Sequence, residues 1–127
     1  MSALPPEFRQ IRLELAREPG HPEGSRATGY DLVAPLDNEQ RLSADIWRRH
    51  KELCRVHRFR EGEDDLVGRL ARKPGGAWYF DYDDADSGDD ENAYRLGDER
   101  FVIGEYVSVR DEHGKMHTYR VTSVRSI

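Results

Sequence analysis

Cysteine is almost absent from this chain. Its 127 residues hold one, Cys54, so no disulfide can form within it, and a reducing, cytoplasmic setting is expected. Long apolar runs are missing as well. Hydrophobic residues make up 36% of the sequence, and no window approaches the about 20 apolar residues of a membrane-spanning helix. The opening MSALPPEFRQIRLEL lacks the basic start and apolar stretch of a secretory signal. No membrane association is expected. Lysine is scarce beside arginine, 3 against 17, as GC-rich coding would give, which suggests a bacterial source.

The catalytic signatures are missing too. There is no GxSxG, no P-loop, no GxGxxG, no HExxH and no paired CxxC, so no cofactor is called for. Gly62, Gly75 and Gly76 are isolated turn residues rather than a phosphate cradle.

What is present is charge, and it is separated. Charged residues make up 35% of the chain, with a net charge of −5. Residues 41–60 hold seven Arg and Lys against two acids, whereas 81–91, DYDDADSGDDE, hold seven acids and no base. Such blocks either pair internally or are offered to partners. The length fits one domain over 1–127, with loose loops at 18–27 and 83–92.

Period-two alternation dominates the apolar pattern. Ile11, Leu13 and Leu15 alternate with Arg12 and Glu14 in Phe8–Leu15, and Tyr30, Leu32, Ala34 and Leu36 alternate again; both read as half-buried strands. Leu66–Arg72 and Ala77–Tyr82 flank Lys73-Pro74-Gly75-Gly76, a hairpin that puts Trp78, Phe80 and Tyr82 on one face. Tyr106–Arg110 and Lys115–Val124 flank Asp111-Glu112-His113-Gly114, a second hairpin. Val56–Phe59 reads as a strand. Residues 43–54, SADIWRRHKELC, carry a helical stripe of Ile46, Trp47, His50, Leu53 and Cys54. The expected fold is α+β: a mostly antiparallel, curled or small barrel-like sheet with one main helix near 43–54.

Several residues are candidates for chemistry. Asp81, Asp83, Asp84 and Asp86 could form a loose hard-cation site, but an EF-hand needs glycine at position six, and neither the Asp81 nor the Asp84 register supplies it. A solvated acidic loop is the plainer reading, and no metal is expected. Arg48, Arg49, Lys51, Arg55 and Arg58 lie near Trp47, His50, His57 and Phe59, a composition suited to phosphates and bases. It equally describes the wet side of an amphipathic helix, and a dedicated nucleic-acid binder is usually basic overall. His113 and His117 are four apart but span a hairpin turn, so their rings need not converge. Cys54 beside Arg55 and near His57 could be an activated thiolate, although its place on the apolar stripe fits a buried small hydrophobe.

The stretches WRRHKELCRVHRF at 47–59, KPGGAWYFDYD at 73–83 and FVIGEYVSVRDEHGKMHTYRVTSV at 101–124 resemble a family of small uncharacterised bacterial proteins with no assigned activity. The resemblance spans most of the chain. It implies a single cytoplasmic domain and no catalytic residue.

Three functions are compatible with these features. The first is a non-enzymatic interaction module that meets a protein partner through Arg48, Arg49, Lys51, Arg55 and Arg58. The second is a nucleic-acid-binding accessory protein using 41–60. The third is a small enzyme with a site near His50, Cys54 and His57. The residue pattern sets no oligomeric state.

Overall fold

Alternation of apolar and polar residues builds almost every element of the chain. The computed structural model describes residues 4–83, 91, 92 and 96–127. In chain order it contains β1 (Phe8–Leu15), β2 (Ser25–Pro35), α1 (Ala44–Arg49), β3 (Arg55–Phe59), β4 (Leu66–Arg72), β5 (Trp78–Tyr82), β6 (Glu91–Asn92), β7 (Tyr106–Arg110) and β8 (Met116–Ser126). Each strand pairs antiparallel with the next, and β8 returns to pair with β1. The sheet therefore curls into a barrel-like ring. Among the described residues, β6 meets β7 at the pair Asn92–Arg110.

The inward residues are those the alternation marks. Ile11, Leu13, Leu32, Ala34, Val56, Leu70, Phe80, Val107 and Val121 are sealed from solvent, and Trp78 and Tyr82 join them from β5. The final hairpin follows its turn chemistry. Asp111 Oδ1 accepts from the backbone N–H groups of His113 and Lys115, both at 2.9 Å, while Gly114 takes a φ of 81°.

One expectation needs correction. The helix is shorter than 43–54: α1 covers Ala44–Arg49, capped by Ser43, whose Oγ accepts from the Ile46 N–H. At His50 the backbone leaves helical geometry, with φ −138° and ψ 42°, and Lys51–Leu53 form a 3₁₀ turn. The chain must enter β3 at Arg55, which leaves no room for a further helical turn. Within 18–27, Glu18 and His21 form a β-bridge and β2 begins at Ser25. Of the 83–92 loop, residues 84–90 lie outside the described residues.

The two ends of the ring are closed differently. α1 lies in the β2–β3 connection and plugs one end. Trp47 there is 8% exposed, its ring meets Trp78 edge-on at 5.5 Å, and its indole N–H donates to the Leu70 carbonyl at 2.8 Å. The opposite end gathers the β1–β2, β3–β4 and β7–β8 connections and is polar. No helix among the described residues is long and apolar enough to cross a membrane.

Curling a sheet this tightly needs bulges and close backbone approaches. Between Glu14–Gly29 and Leu15–Ser25 the register slips, so Arg26, Ala27 and Thr28 bulge out of β2. A second slip against β8 lies between Arg12–Ser123 and Leu13–Val121. At Gly29 a Cβ would lie 1.9 Å from the Leu13 carbonyl oxygen, and at Gly68 2.1 Å from that of Asp81. Both sites exclude a side chain because the neighbouring strand occupies its place. Gly29→Ala is therefore expected to cost about 1–3 kcal/mol, the usual range for overpacking. Urea denaturation checks this: an unchanged midpoint would show that β1 yields without cost.

Candidate functional site

Strand β3 distributes the expected site residues between two faces. Cys54, Val56 and Arg58 point inward, whereas Arg55, His57 and Phe59 point outward. Cys54 is 0% exposed, and its thiol lies 3.5 Å from the His50 carbonyl oxygen. Burial, followed by the negative charge of Glu52, pushes the thiol pKa up to about 12. The His50 ring instead meets Phe8 edge-on. His57 Nε2 lies 2.8 Å from Asp65 Oδ2 on the outer wall. The structure does not bring these three groups together, and a sealed, un-ionised thiol is a poor nucleophile. Disulfide-exchange reagents are accordingly expected to label Cys54 at a rate that follows unfolding. Fast labelling of the folded protein would overturn the sealed assignment.

The basic segment is largely consumed inside the chain. Arg48 pairs with Asp45 at 3.2 Å, Arg49 Nε donates to the Asp45 carbonyl at 3.4 Å, and Lys51 stands over the Trp47 ring at 5.0 Å. Arg55 meets Asp83 at 2.8 Å, so one acid of the 81–91 block does meet the basic block. Arg58, expected among the interaction residues, is 6% exposed and faces the barrel interior. Asp81 sits opposite Arg69 in the β4–β5 register. Asp84 and Asp86 lie outside the described residues, and no group of three or more His, Cys, Asp and Glu among those described is arranged to hold a metal ion.

The polar end of the ring holds a network that no sequence spacing announces. Glu112, on the β7–β8 turn, accepts from Arg58 at 3.0 Å and from Arg60 at 3.0 Å. The Arg58 guanidinium also stands 5.3 Å from the Tyr82 ring centre, and Tyr30 and Tyr119 pack edge-on beside it at 5.0 Å. Next to this cluster, His117 lies between two carboxylates: Nδ1 is 3.0 Å from Glu18 and Nε2 is 2.9 Å from Asp111. His113, by contrast, is exposed at the turn tip, so the two histidines do not share a ligand position. A cavity of about 470 Å³, lined among others by Arg60, Glu112 and His117, opens above the network.

Burial works to raise the Glu112 pKa, but the hydrogen bond and charge of Arg60, with Arg58 behind, outweigh it and hold the carboxyl below its usual range. Asp111 behaves alike: burial raises it, while hydrogen bonds from His117 and from the Lys115 and His113 amides lower it further than burial lifts it. Depressed folded-state values mean stability that is complete above the unfolded carboxyl values, about 4. That stability drains away as pH falls through the folded values. Glu112→Gln is expected to cost about 2 kcal/mol near neutrality, the scale of a hydrogen bond to a charged group. It should also flatten the fall of the urea midpoint between pH 6 and pH 3; an acid limb as steep as the wild type would remove Glu112 from the linkage.

A second feature lies on the outer wall. A groove of about 940 Å³ runs along β1, β2 and β8. Ser25 and Arg26 of the β2 bulge line it, and Ser25 Oγ accepts from the Ala27 N–H at 3.1 Å inside the bulge. Arg120 on β8 stands between Glu14 of β1 and Tyr106 of β7 in the register. Arg17, Arg26 and Arg120 all line the groove and are exposed. Among the described residues none of the three has an ion-pair, hydrogen-bond or ring partner. Tyr106 beside them is 56% exposed. Glu14 is already held by Arg12 at 2.9 Å, leaving Glu23 as the groove's other acid.

Neither the groove nor the network was marked by sequence spacing, because their members are scattered along the chain. Comparison with known proteins identifies no relative: no family model, no curated protein and no solved structure matches this chain.

Proposed function

We propose that this chain is a non-enzymatic interaction module that meets a protein partner through its charged outer wall. The observation that carries the reading is the groove of Arg17, Arg26 and Arg120, three exposed guanidiniums with no partner among the described residues. Five of the seven cations of 41–60 differ, since Arg41, Arg48, Arg55, Arg58 and Arg60 are in ion pairs, while Arg49 donates to a backbone carbonyl and Lys51 stands over Trp47. A guanidinium already bound to a carboxylate must give that contact up before it serves a partner, so pre-paired arginines contribute little net affinity. The same argument weakens a nucleic-acid interface on 41–60. An exposed tyrosine among arginines has the composition of an interface centre rather than of an ordinary solvated wall.

Crosslinking of the tagged chain in native lysate tests the reading. Discrete adducts are expected from the wild type and from Arg48→Glu/Arg49→Glu. They should be lost from Arg17→Glu/Arg26→Glu/Arg120→Glu. Adducts that survive the groove reversal and vanish with the helix reversal would move the interface to 41–60, and the absence of any discrete adduct would end the interaction reading.

A further inference from the structure

Resting on that reading, we infer that the outer groove receives an extended acidic segment of the partner protein. Three positive side chains border it, from the end of β1, the β2 bulge and the middle of β8. They surround one concavity rather than forming a row on a single strand. That layout suits a chain of carboxylates crossing the strands. Guanidinium is the side chain best matched to carboxylate, through two parallel N–H donors.

The groove also holds two acids, Glu14, which Arg12 already engages, and Glu23, so its three arginines outnumber its carboxylates. Ser25, Thr118 and Thr122 bring hydroxyls to the groove, and these can donate to a carboxylate or to a peptide carbonyl. Tyr106 supplies an apolar ring with a polar tip, which can cover the aliphatic stem of a bound side chain.

Polynucleotide fits less well. Its phosphates repeat along the whole strand, so any length beyond the groove would meet a protein whose net charge is −5. A short acidic peptide stays within the basic concavity and avoids that repulsion. Arginine clusters reading acidic motifs are a recurrent mode of peptide recognition.

Fluorescence anisotropy of the full chain with labelled hexaglutamate tests the assignment, with a single-stranded oligonucleotide of equal length as competitor. Hexaglutamate is expected to bind and to weaken steeply as salt rises from about 50 to about 300 mM. Arg17→Glu/Arg120→Glu should weaken it by at least about tenfold, a loss of about 1.4 kcal/mol. Arg48→Glu/Arg49→Glu should leave it within about twofold. Unchanged circular dichroism and urea midpoints verify that these exposed substitutions leave the fold intact. No hexaglutamate binding, tighter binding of the oligonucleotide, or indifference to the groove reversal would each overturn the acidic-segment assignment. If the lysate adducts still depend on the groove in that event, the interaction module stands and only the partner's chemistry is rejected.

Discussion

The ladder between β1 and β8 carries the rest of the architecture. It pairs Arg9–Leu15 with Tyr119–Ser126, joining strands that lie almost the whole chain apart. Every other pairing of the ring is between sequence neighbours, so each forms by closing a short loop. The β1–β8 ladder forms only after the meander has curved far enough to present its two edges, and it bears the largest closure entropy. Both features with chemical potential straddle this seam. The Glu18–His117 contact spans 99 residues of sequence, and the groove sets Arg17 and Arg26 from one side of the seam against Arg120 from the other. Opening the ladder would part Glu18 from His117 and split the groove at the same time.

Curvature and function are linked through the backbone. A sheet that turns back on itself within eight short strands needs twist concentrated at a few positions. Here the register slips in β2 and β8 and the side-chain-free contacts at Gly29 and Gly68 supply it. The β2 bulge has a second consequence. Three residues that would have continued the alternation leave the ladder, and Arg26 projects over the outer wall beside Arg17. The groove is thus a by-product of the same distortion that lets the ring close.

The two ends of the ring solve the problem of sealing a barrel in opposite ways. At the α1 end, apolar burial does it: Trp47 against Trp78, with Leu36, Leu42, Leu96 and Phe101 also sealed from solvent. At the other end a buried guanidinium does it. Desolvating Arg58 is costly, and the Glu112 carboxylate with the Tyr82 face offsets that cost. Because Glu112 sits on the β7–β8 turn, the charge pair also pins that hairpin over the barrel opening. An apolar residue at position 58 could fill the same space, but it would not fix the hairpin in one place. The pair therefore specifies position as much as it stabilises.

Much of the fold was legible in the sequence, and the physical reason is period two. Phe8–Leu15, Leu66–Arg72 and the β7–β8 hairpin are local patterns with local turns, and the chain obeys them. The helix is shorter than its stripe because Leu53 and Cys54 continue the helical spacing while equally suiting the entry to β3; tertiary geometry decides between them at His50. The site was less legible because proximity in sequence is a poor guide to proximity across a sheet. Arg55, Arg58 and Arg60 look like one basic block, yet alternation turns Arg58 inward to Glu112, 54 residues away, and leaves Arg55 outside against Asp83. Arg17, Arg26 and Arg120 look unrelated, yet a bulge and a closing ladder bring them to one groove. Closeness along the chain therefore does not decide which cations find an acid: the fold does, through the face each residue takes and the strands that the closing ladder brings together.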